Sequence, residues 1–188
     1  MQIRPATSSD LPFIPEIDGT IESLDYLHLD RTGEGLSAGW RLEIRKLREK
    51  LIESNRLPEI NAFTLRQIAT GIEEGIALVC EIDDAPAALL IARLDHETHT
   101  IRLLDLRVDY DRRRQGIGLA MAYHLIMQAQ QGDWRALAAE TRTNNLPANR
   151  FLEKLGFTLA GVDTMRHSNH DLVKETATLL WYLPIDKS

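Results

Sequence analysis

The residues most suited to chemistry lie in Arg112-Arg113-Arg114-Gln115-Gly116-Ile117-Gly118-Leu119. An apolar run ends just before them at Val108, and an apolar stretch opens at Gly116. The reading is strand, basic turn, helix. Such a helix start aims backbone N–H groups out of the turn, where they and the positive end of the helix dipole suit a phosphate. Gly116 and Gly118 have no side chain to hold a ligand off the backbone. The turn is therefore expected to cradle a pyrophosphate-bearing cofactor. Other candidates are weaker. His96-x-x-His99 falls in a hairpin turn and His167-x-x-His170-Asp171 in a polar loop, so no metal site is expected. Cys80 sits mid-strand and reads as a small buried hydrophobe, not an acyl-enzyme nucleophile.

The chain that must position this turn has 188 residues, which suits one domain spanning 1–188 with a proper core. Its 44% hydrophobic and 27% charged residues are ordinary globular values. A net charge of −6 argues against nucleic-acid binding and is compatible with a cationic small molecule. One cysteine excludes an intrachain disulfide and fits a reducing compartment. The first ten residues hold no apolar signal core, and no run is long enough to span a bilayer. A cytoplasmic protein without a membrane partner is expected.

Gln2–Ala6 reads as a first strand. Thr7–Asp10 supplies capping residues for a short helix carrying Leu11, Ile14 and Ile17. Gly19–Gly39 reads as loop with at most a broken helix. Trp40, Ile44, Leu47 and Leu51 fall on one helical stripe, so a helix is expected over Trp40–Glu53, stopped by Asn55 and Pro58. Ala62–Ile68 reads as a strand. Ile76–Ile82, Ala87–Leu94 and Thr100–Val108 are stronger strands with short links, which implies antiparallel hairpins. The helix from Gly116 to about Gln130 is apolar nearly all round, placing Tyr123 in the core. Ala136–Arg142, Phe157–Met165 and Ala177–Leu183 read as strands and Pro147–Leu155 as a helix, with polar loop over Arg166–Glu175. The expected class is α/β (α+β), a mixed, mainly antiparallel sheet flanked by helices.

Three phosphate turns compete for the glycines. A Rossmann fingerprint needs a third spaced glycine in a parallel unit, and a P-loop needs Lys-Ser or Lys-Thr where Leu119-Ala120 stands. Both fail. Arg113-Arg114-Gln115-Gly116-Ile117-Gly118 instead resembles motif A of the GNAT-type N-acetyltransferases. Downstream, Glu140 and then Asn145-Leu146-Pro147-Ala148 … Lys154-Leu155-Gly156-Phe157 is similar to that family's second segment. The chain is thereby similar to the GNAT superfamily over about Ile76–Phe157, with the acyl-CoA N-acyltransferase fold this implies. Gly156–Thr164 and Phe63-Thr64-Leu65-Arg66 resemble its streptothricin acetyltransferase-like branch. The Ser37–Pro58 segment looks like a departure, lying where acceptor specificity is often set.

The resemblance implies acetyl-CoA as co-substrate. Backbone at Leu106, Arg107 and Val108 would pair with its pantetheine arm. The N–H groups of Arg113, Arg114, Gln115, Gly116, Ile117, Gly118 and Leu119 would hold the pyrophosphate, and Asn145 would bond the pantetheine or adenosine end. Acetyl transfer to an amine needs a base, oxyanion donors and a proton for the departing thiolate. Asp105 interrupts the apolar run Leu103-Leu104-Asp105-Leu106, and its desolvation would suit a base. Glu140 is the second candidate. The alternative for each is a structural carboxylate paired with Arg107 or Arg142. The family's usual Tyr acid falls at Leu152, which has no proton to give. Tyr182 is the candidate replacement, alongside Tyr110 and Tyr123.

Asp25, Asp30 and Glu34, with Asp163, Asp171 and Glu175, could border a pocket for a cationic amine. The expectation is an N-acetyltransferase acting by direct transfer to a primary amine of a small molecule such as an aminoglycoside- or streptothricin-like antibiotic. A protein N-terminal or lysine acetyltransferase and a CoA-binding regulatory module with little turnover are the alternatives. Dimers are common in the family, so a homodimer is the expected assembly.

Overall fold

The computed structural model describes residues 1–54 and 56–185. Asn55, expected to stop a helix, lies outside them. Contacts divide the chain into two compact units. Of the described residues, the first contains 1–20, 54, 56–139 and 183–185; the second contains 21–53 and 140–182.

In the first unit, strands β1 (Gln2–Pro5), β4 (Gly75–Ile82), β5 (Ala85–Asp95), β6 (Thr100–Val108) and β7 (Ala136–Arg142) lie side by side in that order. All pairs are antiparallel except β6 with β7. Val79, Cys80, Leu89, Leu90 and Ile91 are fully buried, so β4 and β5 are covered on both faces. That explains their unbroken apolar runs. Helix α1 (Glu59–Ala69) packs on β4 and β5, and α2 (Ile117–Gln131) packs on β4, β5 and β6. Leu65 of α1 joins Ala77, Val79, Leu89, Ile91, Ile14 and Ile17 in one cluster.

Four expectations fail in this unit. Ala62–Ile68 is the body of α1, not a strand. Phe63 and Leu65 mimic strand alternation, but only Leu65 is buried and Phe63 is exposed. Pro58 does not stop a helix; it caps the start of α1, its carbonyl accepting from Ala62 N–H. The expected helix after Thr7 is two isolated 3-10 turns, Ser8–Asp10 and Ile14–Glu16. Pro12 and Pro15 lack the N–H groups that a continuous ladder needs. Tyr123 is likewise exposed on α2 rather than in the core, as is Met127.

In the second unit, β2 (Ile21–Thr32) and β3 (Gly39–Glu53) form a long antiparallel hairpin. It replaces both the loop expected over Gly19–Gly39 and the helix expected over Trp40–Glu53. Gly33 and Gly35, with φ of +70° and +52°, make its turn. The register explains the helical misreading. Ser23 pairs with Leu51 and Asp25 with Lys46, so Leu24 alone stands opposite Leu47–Lys50. That bulge breaks the period of two, and the apolar spacing across it imitates a helix. Ile44 of the supposed stripe is exposed. Helix α3 (Leu146–Lys154) packs on β2. Strands β8 (Thr158–Asp163) and β9 (Thr178–Pro184) pair antiparallel, with β9 next to β7.

Candidate active site

The basic turn begins where β6 changes partners. Ile91 pairs with Asp105 but Ala92 with Leu103, so Leu104 is a bulge. On the other side, β6–β7 pairing runs from Thr100 with Ala136 to Leu103 with Ala139 and ends there. An extra residue bends a strand and strengthens its twist, which is why pairing with β7 stops at the bulge. Asp109 N–H donates to Ala87 C=O. By strand alternation the backbone of Arg107 also faces β5, while that of Leu106 and Val108 faces the side β7 no longer covers.

A single 3-10 turn, Tyr110–Arg112, follows β6. Asp109 anchors it by accepting from Asp111 N–H and, through its other oxygen, from Asp18 N–H at 3.0 Å. Arg113 faces inward. Its guanidinium donates to the carbonyls of Val108, Thr20 and Asp18 and lies 5.1 Å above the Tyr110 ring. Its side chain thus shapes the turn. Arg114 has φ +63° and is exposed. Arg112 meets Asp83 at 3.6 Å.

Gly116 sits at the N-cap of α2 with φ +84°, and a Cβ there would meet nothing within 4 Å. The space in front of its backbone is open. The α2 ladder starts with Ala120 N–H to Gly116 C=O, so the N–H groups of Ile117, Gly118 and Leu119 precede it and point out of the helix end. Consecutive N–H groups around a left-handed residue form an anion-binding concavity.

Both candidate bases carry arginines. Asp105 is not the lone desolvated carboxylate expected. It makes two 2.7 Å bonds to Arg107, with side chains 10% and 3% exposed. Glu140, in the second unit, takes Arg166 at 3.1 and 3.2 Å, with side chains 30% and 49% exposed. Arg142 pairs with Glu53.

Asn145 caps α3, its Oδ1 accepting from Ala148 N–H at 3.3 Å. Asn149 is buried and ties the same turn together, receiving a short bond from Thr141 and donating to Arg142 and Asn145 carbonyls. Asn144 Oδ1 is buried without a hydrogen-bond partner among the described residues. Leu152 is buried on α3. Tyr182 is half-buried on β9, where its carbonyl accepts from Thr158.

Of the expected acidic rim, Asp171 is occupied. It accepts from His167 N–H and Ser168 Oγ, which holds its carboxyl below the usual range. Asp30 is also engaged, by His28 and Arg45. His96 stacks near Trp134 beside Glu74, and burial pushes the Cys80 thiol up. No group of three His, Cys, Asp or Glu is placed for a metal among the described residues, and no described helix is long and apolar enough to cross a membrane.

A mixed sheet whose central strand splays at a bulge, runs into a basic turn and opens a helix at a left-handed glycine defines an acyltransferase fold. The family model described as the acetyltransferase (GNAT) family matches residues 43–157, and the chain belongs to that family. Streptothricin acetyltransferase A of Bacillus subtilis (strain 168) is 35% identical over 78 residues, 42% of this chain and 44% of that protein. The match thus spans under half of that relative's length. A Bacillus anthracis str. Ames protein assigned as a streptothricin acetyltransferase, in complex with acetyl coenzyme A, superposes with TM-score 0.78 at 19% identity over 98% of this chain and 97% of that one. Nourseothricin acetyltransferase gives TM-score 0.77 at 20% identity, covering 98% of each chain. At such identities these structures establish the fold.

Proposed function

We propose that the chain transfers the acetyl group of acetyl-CoA directly to a primary amine of a small molecule, with streptothricin-like antibiotics as the acceptor class. The observation that carries the reading is the open N-terminus of α2 at Gly116, with unladdered N–H groups behind a left-handed glycine and nothing within 4 Å of its Cβ position. A diphosphate fits that cradle, and the exposed Arg114 adds charge to it. The outward backbone of Leu106 and Val108 offers a strand edge to the pantetheine amides. Arg113 and Arg107 act on the co-substrate by holding the turn and strand rather than by contact of their guanidinium groups. Asn145 contributes by fixing the start of α3.

Glu140 is the better base of the two carboxylates. Its side chain is the more exposed, 30% against 10% for Asp105, and Asp105 is held by two bonds to a buried arginine. Glu140 would take the ammonium proton, and the free amine would attack the thioester carbonyl. The test combines thermal stabilisation by acetyl-CoA with thiol release across an amine panel that includes streptothricin, a lysine peptide and a peptide with a free N-terminus. Stabilisation together with thiol release on streptothricin is the expected result. Thiol release on the peptides alone would replace the small-molecule acceptor, and stabilisation without any turnover would make the chain a CoA-binding module. No stabilisation at all would remove the reading.

A further inference from the structure

As a helix rather than a strand, α1 turns one particular face to the sheet. Asn61, Thr64, Leu65 and Ile68 stand at i, i+3, i+4 and i+7 and share that side. Thr64 and Leu65 are buried, and Asn61 and Ile68 are partly so. Ile68 comes so near β4 that a Cβ at Gly75 would collide with its side chain. Thr64 Oγ1 accepts from Arg93 Nη2 of β5 at 3.1 Å, and Arg93 Nε meets Glu73, just beyond α1, at 3.3 Å. These contacts seat the middle and the C-terminal end of α1 on β4 and β5. The first turn reaches further. Asn61 Nδ2 donates to the Leu104 carbonyl of β6 at 3.2 Å, across 43 residues of chain.

Leu104 is the bulge residue of β6, next to the last residue that pairs with β7. The extra residue of a bulge stands outside the ladder, and a partly buried carbonyl there needs a donor. Asn61 supplies one. The Leu104 side chain packs against the cluster that contains Leu65 of α1 with Val79, Leu89 and Ile91. The bulge is therefore held from the α1 side by its backbone and by its side chain. A bulge that is not held can migrate along its strand. Each step of one residue exchanges the groups that face the neighbouring strand with those that face away. Held at Leu104, the outward backbone groups are those of Leu106 and Val108.

We infer that Asn61 is a positioning residue for the co-substrate: its bond to the Leu104 carbonyl fixes the bulge, and with it the edge of β6 that meets the pantetheine arm. The inference rests on the acetyltransferase reading. It gives α1 a part in donor binding through β6 rather than through contact with the ligand. It also separates two anchors. The diphosphate is held at the N-terminus of α2, which Asn61 does not touch, and the arm is held at the strand edge, which it sets.

The experiment titrates CoA and ADP into wild type and Asn61→Asp by calorimetry; ADP carries the diphosphate without the pantetheine arm. The aspartate keeps the size of the side chain and places an oxygen where the donor was. A carboxylate suits the first turn of a helix, so α1 still forms. CoA is expected to bind about five- to tenfold more weakly than to wild type, with ADP within about twofold. A fold weakened as a whole would move both ligands together, as Gly116→Ala is expected to do from the phosphate end. Amide hydrogen exchange should quicken over residues 103–108 and stay unchanged over β4. CoA affinity within twofold of wild type, an equal loss for CoA and ADP, or unchanged exchange over residues 103–108 overturns the inference. Should Asn61→Asp fail to fold, Asn61→Ala is read by the same comparison. Wild type that binds neither CoA nor ADP sinks the acetyltransferase reading itself, a result distinct from the others.

Discussion

Replacing Gly116 by Ala separates the cost of the backbone shape from the cost to the ligand, because the chain supplies its own control. Gly116 has φ +84° and Gly71, just after α1, has φ +73°; a Cβ at either would meet nothing within 4 Å. Neither alanine clashes, so each pays only for the left-handed conformation, about 1–2 kcal/mol. For a chain of this size that lowers the melting temperature by about 3–6 °C in both variants. Their ligand binding should differ. At Gly116 the methyl enters the open space in front of the α2 N-terminus and holds a diphosphate off the N–H groups. Losing one charge-assisted hydrogen bond costs about 1.5–3 kcal/mol, equivalent to about 10- to 100-fold in affinity. Calorimetric titration with CoA should therefore show Gly116→Ala at least tenfold weaker than Gly71→Ala, with equal melting temperatures. Equal dissociation constants in the two variants would refute the placement of the phosphate at this helix end.

The other arginines and carboxylates of the site divide in the same way. Arg113→Ala removes donors to Val108, Thr20 and Asp18 carbonyls and should cost about 2 kcal/mol in urea unfolding, whereas the exposed Arg114→Ala should stay within about 0.5 kcal/mol but weaken CoA binding most at low salt. Asp105→Asn breaks a pair with an arginine only 3% exposed and should destabilise by about 3 kcal/mol. Glu140→Gln should cost under about 1 kcal/mol while lowering thiol release about 100-fold; full activity in that variant would exclude Glu140 as base. Asp10, held by two bonds from Arg4 and one from Thr7 N–H, has its carboxyl lowered to about 2. A lowered carboxylate stabilises the fold above its unfolded value near 4 and loses that contribution as pH falls toward 2, roughly 2 kcal/mol in all. Acid unfolding followed by fluorescence should show that dependence flattened in Asp10→Asn.

Strands β4 and β5 were legible because their burial is extreme. β4 and β5 are covered on both faces, so their residues form unbroken apolar runs that end at turn residues. The hairpin tip at Asp83-Asp84, with φ of +53° and +61°, uses acidic residues that tolerate such angles. The phosphate turn was legible for a related reason: a left-handed N-cap ahead of a buried helix calls for glycine, and Gly116 supplies it. Its arginines were harder to interpret. Charge and spacing are the same for Arg113 and Arg114, yet one turns inward to three carbonyls and the other stays exposed. That difference depends on the Asp18–Thr20 segment, more than ninety residues away in the chain.

The hairpin of β2 and β3 was illegible because its stability comes from pairing rather than from a buried stripe. Its surface is largely wet, so hydrophobic periodicity says little, and the bulge at Leu24 shifts phase midway. The consequence reaches the site. Read as loop, Asp25, Asp30 and Glu34 are merely acids available to a cationic amine. Read as strand, the period of two gathers Tyr26, His28 and Asp30 on one face and spends Asp30 on an imidazole and an arginine. A count of charges in a segment therefore overstates the charge a ligand can meet, since the fold consumes some of it. What the same fold adds is connectivity, the Tyr26 hydroxyl joined to Asp30 through His28, and connectivity of that kind becomes visible only once the strand register is known.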